Sequence, residues 1–189
     1  MHPHRKPTRL AGFDYSRQNS YFVTPIVHGR CRCFGEIKGG SMNLNEFGEI
    51  THKQLIWLEN QYPYIKIPIW VIMPDHVHAK IEICEYPTIS SGGSRPTPTN
   101  GIKIKPLPEL MGAFKTTSSK LIHLAGLTEF KWQRSFHDRI IRNQIEYWNI
   151  YNYIANNPSN WENDHSAFVN RRSIIYLLVN ELRMMNNEL

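Results

Sequence analysis

YIKIPIWVIMPDHVHAKIEIC, Tyr64 to Cys84, holds two strands and the joint between them. Isoleucine, valine, tryptophan and tyrosine dominate its first half, residue types that suit a pleated, half-buried surface. Pro74-Asp75 is a tight connection, and from His76 the residues alternate in character. Strand side chains point alternately to two faces. Val77, Ala79, Ile81 and Ile83 therefore share an apolar face, and His76, His78, Lys80 and Glu82 a polar one. The apolar set belongs to a core. The polar set is expected to look out from an open sheet face.

Working outward, Ser20–Gly29 reads as a first strand, and Gly39-Gly40 as the turn of a short hairpin. A helix is predicted over Glu49–Gln61, with Leu55, Leu58 and Tyr62 on one side and Pro63 ending it. Tyr86–Gly101 is rich in proline, glycine, serine and threonine and reads as a mobile loop. A second helix is predicted over Pro108–Ala125, with Leu110, Phe114, Leu121 and Ala125 on one face and Gly126 as its stop. Phe130–Ile141 reads as a fourth core strand. Asn143 to about Asn156 reads as a third helix stopped by Pro158, and RRSIIYLLVNELRMMNNEL as an amphipathic C-terminal helix. The core order is β-α-β-β-α-β, an α+β, ferredoxin-like antiparallel sheet with helices on one face. Residues 1–19 form a basic arm, 20–161 the domain with its loop at 86–101, and 162–189 a helical tail.

The 189 residues, 41% apolar and 20% charged, suit one soluble domain with its own core. No apolar run approaches the ~18 residues that span a bilayer, and the N-terminus lacks the apolar stretch of a secretory signal. The cytoplasm is the expected location. Cys31, Cys33 and Cys84 cannot form a disulfide framework, and C-x-C without a second pair makes no zinc knuckle, so free thiols are expected. A net charge of +6 and a pI of about 9.3 point to a polyanionic partner. The basic residues gather at Arg5, Lys6, Arg9 and Arg17, and at Arg134, Arg139 and Arg142 around Trp132 and Phe136.

Two imidazoles at adjacent same-face positions can grip one divalent metal. From H-x-H alone, a pair of surface histidines is the simpler reading. The strand-start position after Met73-Pro74-Asp75, and the lack of a second cluster of ligand type, weigh toward a metal. In the predicted third helix, Tyr147, Ile150, Tyr151 and Ile154 form an apolar stripe, extended by Trp148 and Ala155. Glu146, Asn149, Tyr153 and Asn157 fall opposite, with Asn157 one turn beyond Tyr153. A phenol placed there can attack phosphorus, and the Asn157 carbonyl can complete a metal site. A surface tyrosine on an amphipathic helix is the plain alternative.

VIMPDHVHAKIEI, KWQRSFHDRIIRN and YIANNPSNW together resemble the REP-associated tyrosine transposases, relatives of the single-strand transposases in the HUH endonuclease superfamily. RKPTRLAGFDYSRQNSYFVT and FGEIKGGSMNLNEFGEI are similar to the corresponding parts, so the resemblance covers roughly Arg5 to Trp161. It implies His76, His78 and Asn157 as ligands of magnesium or manganese, and Tyr153 as a nucleophile forming a 5′-phosphotyrosine. It implies single-stranded DNA beside a hairpin repeat as substrate, for a monomer or homodimer. Arg5, Lys6, Arg9, Arg134, Arg139 and Arg142 are the expected DNA contacts. Asp75 stands where the family usually has asparagine, which adds a negative charge beside the metal. One alternative is a domesticated transposase that binds hairpin DNA or RNA without cutting. Another is an RNA-recognition domain, but the chain lacks that module's RNP1 pattern. A third is a metal-dependent hydrolase with a water nucleophile.

Overall fold

The computed structural model describes residues 10, 12–85 and 103–164. The expected loop at 86–101, the arm residues Arg5, Lys6 and Arg9, and the tail from 165 onward lie outside the described residues.

The strands are β1 (Asn19–Thr24), β2 (Gly35–Lys38), β3 (Ser41–Leu44), β4 (Ile65–Met73), β5 (His76–Ile83) and β6 (His137–Ile141). The helices are α1 (Glu46–Gln61), α2 (Leu107–Leu124) and α3 (Gln144–Asp164). One sheet has the order β4-β5-β1-β6 with every neighbour antiparallel. That order interleaves the crossovers β1-α1-β4 and β5-α2-β6, which is the ferredoxin-like arrangement. β2 and β3 form a separate hairpin turning at Gly39-Gly40, as expected.

The apolar face of the sheet carries Tyr21, Val23, Val77, Ala79, Ile81 and Ile83, packed with Leu55 and Leu58 of α1 and Leu110, Met111 and Phe114 of α2. The other face is not open. A smaller cluster of Ile141, Ile150 and Ile154, with Phe22, Ile69, Val71, Tyr147 and Tyr153, fills the space under α3. The sheet is therefore covered on both sides.

β4 serves both layers because its alternation changes phase. Ile65 and Ile67 face the main core, as do Trp70 and Ile72 further on, while Ile69 and Val71 face α3. The pairing with β5 is irregular between Lys66 and Ile69, and a bulge of one residue inverts the parity of the strand beyond it. Pro68 sits inside it, on an edge strand where a missing N–H is tolerated.

Four boundaries differ from the sequence reading. β1 ends at Thr24 because Pro25 has no N–H to continue the ladder; Ile26 and Val27 make only isolated bridges to His76 and Trp132. α1 begins three residues early, where the Asn45 side chain accepts the Gly48 N–H at 3.0 Å. Gly48, a natural breaker, is needed in that first turn because a Cβ there would lie 2.2 Å from the Phe34 carbonyl oxygen. β6 is short because the upstream carbonyls of Gln133, Arg134 and Ser135 accept from Lys115 Nζ, at 2.5, 3.2 and 3.4 Å, instead of pairing. Finally, α3 does not stop at Pro158 but runs through it to Asp164, forgoing the hydrogen bond to the Ile154 carbonyl.

The start of α3 is fixed by reciprocal caps. The Glu146 N–H donates to Asn143 Oδ1 at 2.8 Å, and Glu146 Oε2 accepts the Arg142 N–H at 2.9 Å, close to a capping box. The other carboxylate oxygen pairs with Arg139 at 2.5 Å. Asn143→Ala should cost about 1 kcal/mol, and Glu146→Ala about 2 kcal/mol because it strands a backbone donor and a guanidinium together. Thermal melts of the two variants check that order.

Candidate functional site

β5 and α3 meet along the polar face of the strand. Tyr147 lies over Lys80, with the ammonium 3.0 Å from the ring centroid. Tyr153 lies against His78, ring centroids 5.2 Å apart, and Trp161 against His76 at 5.9 Å. The helix thus runs antiparallel to the strand, one aromatic ring to each basic side chain. His76 and His78 are 6% exposed and Lys80 is fully buried. Lys80 Nζ also lies 2.8 Å from a Glu82 carboxylate oxygen but outside hydrogen-bond geometry, so opposite charge and the Tyr147 ring are what offset a buried ammonium that would otherwise cost several kcal/mol.

The helix faces differ from expectation. The stripe turned to the sheet contains Glu146, Ile150 and Ile154, with Tyr153 and Asn157 partly buried, whereas Trp148 and Ala155 are exposed. Tyr153 is therefore on the covered face, not opposite to it. A 3.6-residue stripe assigned on apolar content alone excludes a tyrosine and an asparagine that turn inward to meet polar groups.

The two imidazoles are held by their Nδ1 atoms. His76 Nδ1 is 2.5 Å from Asp75 Oδ1, and His78 Nδ1 is 2.8 Å from Thr24 Oγ1. Their Nε2 atoms face each other at 3.0 Å, and Tyr153 Oη is 3.4 Å from His78 Nε2. Burial lowers the pKa of both rings, His78 well below the ordinary value, with the neighbouring His76 and Arg30 adding to the effect there. Neutral imidazoles are the form that binds metal. Burial would raise the Asp75 carboxyl, but His76 and the Arg30 guanidinium, 3.4 Å away, outweigh it and hold it below its ordinary value.

A carboxylate on Nδ1–H leaves the lone pair of His76 on Nε2. In a neutral pair, His78 Nε2–H then fills the gap and Nδ1 accepts from Thr24. The Thr24 hydroxyl can equally accept. His78 can therefore carry its proton on Nδ1 without moving, and both Nε2 lone pairs then converge. Two nitrogens 3.0 Å apart match adjacent ligands at right angles, each about 2.1 Å from one ion. The donor pair fits a divalent metal. Among the described residues, no group of three or more His, Cys, Asp or Glu could hold a metal. Asn157 is half-buried, one turn beyond Tyr153 on α3.

The other expected residues are more scattered. Arg134 and Arg142 are exposed, and Arg139 is tied to Glu146. Cys33 is buried, its thiol pushed up to about 12 chiefly by burial, while Cys31 is exposed. Sequence reasoning passed over Thr24, Phe22 and Arg30. Phe22 stacks on His78 at 5.2 Å and meets Tyr153 edge-on at 5.9 Å. The available signal was β1 alternation, which puts Phe22 and Thr24 on the same sheet face.

No family model matches the chain. It is 32% identical over 171 residues to an uncharacterised protein of Haemophilus influenzae, covering 85% of this chain and 92% of that protein. The chain belongs to the same family as that protein. Among solved structures it is similar to a REP-associated tyrosine transposase bound to a REP hairpin, with a TM-score of 0.50 and 20% identity over 79% of this chain and 70% of the other. The chain thus has the fold of the family that its motifs resemble. Among the described residues, no helix is long and apolar enough to cross a membrane.

Thr24→Val removes the buried partner of His78 Nδ1. It should lower unfolding free energy by about 1–2 kcal/mol, whereas Thr24→Ser should stay within about 0.5 kcal/mol of the parent. Urea titrations of the metal-free protein check this.

Proposed function

We propose that the protein is a metal-dependent single-stranded DNA endonuclease and strand transferase, cutting beside hairpin repeats through a 5′-phosphotyrosine. The observation that carries this reading is the meeting of one phenol with two Nε2 atoms: Tyr153 Oη lies 3.4 Å from His78 Nε2, itself 3.0 Å from His76 Nε2. A surface tyrosine and two surface histidines would have no reason to converge in a covered layer.

In this reading His76, His78 and Asn157 hold magnesium or manganese, which supplies Lewis-acid polarisation of the scissile phosphate. Asp75 and Thr24 fix the ring orientations from behind. Phe22 and α3 confine the Tyr153 ring and exclude bulk water. Tyr153 Oη attacks phosphorus in line, the P–O3′ bond breaks, and the phenolic proton ends on the departing 3′ oxygen. The Tyr153–phosphate bond retains the phosphodiester energy. Attack by another 3′-hydroxyl reverses the exchange and rejoins a strand, and no nucleotide cofactor enters. The solved transposase with the same fold was bound to a REP hairpin, which supports the choice of DNA. Exposed Arg134 and Arg142, with Arg5, Lys6 and Arg9, are the proposed backbone contacts.

The test is a covalent adduct. Labelled hairpin oligonucleotides from repeats flanking the gene, incubated with manganese, should give a protein–DNA band on a denaturing gel. Tyr153→Phe or a chelator should abolish it, at least 1,000-fold by the scale of losing a nucleophile. Cleavage that persists in Tyr153→Phe would identify a water nucleophile. Hairpin binding with no cleavage would identify a binding module. In parallel, calorimetric manganese titration should give one site, lost in His76→Ala and in His78→Ala and weakened about 10–100-fold in Asp75→Asn.

A further inference from the structure

The His76 end of the site carries positive charge that the cleavage chemistry above leaves unused. Arg30 follows β1 in a short 3-10 turn and has φ of 58°. Among the described residues it is the one non-glycine in the left-handed region, a strain that surrounding structure must sustain and that gathers at functional sites. Its guanidinium reaches Asp75, yet its Nε–H is buried with no hydrogen-bond partner. Two residues on, Arg32 is exposed, with its guanidinium 5.6 Å from the centroid of the Trp161 ring. Trp161 in turn lies against His76. It reaches that place because α3 continues past Pro158, where Ser159 Oγ donates to the Gly40 carbonyl of the β2–β3 turn at 3.3 Å.

Two guanidiniums gather here beside the imidazole pair, Arg30 answered by the Asp75 carboxylate and Arg32 standing at the exposed edge, a setting that suits an anion. A nucleotide answers the outward features: a phosphate for the guanidinium edges and a flat base for the indole.

We propose that Arg30, Arg32 and Trp161 form a nucleotide subsite for single-stranded DNA at the His76 edge of the site, holding a phosphate on the two arginines and its base on Trp161. Arg32 occupies the indole face in the free protein as a cation–π partner. The incoming base takes that face and the guanidinium turns to the phosphate. The ligand class rests on the strand-cleaving reading above, while the subsite itself needs no cleavage to operate.

Binding is measured in the Tyr153→Phe background, so that no strand is cut, by fluorescence anisotropy. The probe is a labelled hairpin with single-stranded flanks. Arg30→Gln and Arg32→Gln should each weaken binding several-fold and reduce the log–log salt slope by roughly 0.7. Trp161→Ala should weaken it about five- to a hundredfold with little change of slope. Arg30→Lys should fall between parent and Arg30→Gln, and serves if Arg30→Gln does not fold. Methylphosphonates placed one at a time along the flank should locate one phosphate whose neutralisation harms the parent but not Arg30→Gln. Unchanged affinity and slope in all three variants would overturn the subsite, as would a parent that binds no single-stranded flank. Arginine-dependent binding with no Tyr153 adduct in the wild-type protein would uphold the subsite and sink the transesterase. A wild-type Tyr153 adduct together with variants that bind as the parent does would do the reverse.

Discussion

A strand buried on both faces but apolar on only one is the constraint around which this molecule is arranged. β5 sits inside the sheet with α1 and α2 beneath it and α3 above. Its upper face presents two imidazoles and an ammonium. Dry polar groups are costly unless each finds a partner. The partners come from everywhere: Thr24 from β1, Asp75 from the turn, Tyr147, Tyr153 and Trp161 from α3, and Glu82 from the strand itself. Satisfying that face fixes where α3 lies, and thereby where its tyrosine lies.

The carboxylate beside His76 illustrates how charge is balanced locally. An acidic residue so close to an expected phosphate looks unfavourable in the sequence. In the structure its oxygens are divided between the His76 ring and the Arg30 guanidinium. The negative charge therefore orients a ring instead of projecting outward, and a neutral amide at this position would give Arg30 no counter-charge.

Period-two alternation in β5 separated its two faces correctly, and the order of elements along the chain sufficed for the sheet topology. H-x-H on a strand and a tyrosine one turn before Asn157 were visible in the same way. What escaped were features governed by distant parts of the chain. Pro158 marks a helix end in isolation, but α3 has the β2–β3 turn to rest against and continues. Gly48 reads as a breaker until the Phe34 carbonyl is seen to need its space. Arg30 and Arg32 flank Cys31 in a short stretch whose cysteines drew attention to metal binding, and nothing near them in sequence points to Trp161. Local propensity carries no record of such contacts.

Pro158 also divides α3 mechanically. The rung it lacks lies between Tyr153 and Trp161, so the helix has its weakest backbone joint between the turn that carries the phenol and the turn that carries the indole. The N-terminal segment is clamped by the Glu146 caps and by Ile150 and Ile154 in the layer below. In the C-terminal segment Ser159 holds the hairpin turn and Trp161 rests on His76 and Arg32. A bend at that joint would move Trp161 relative to His76 while leaving Tyr153 in register with His78, so the two ends of the helix are free to respond separately to what meets them.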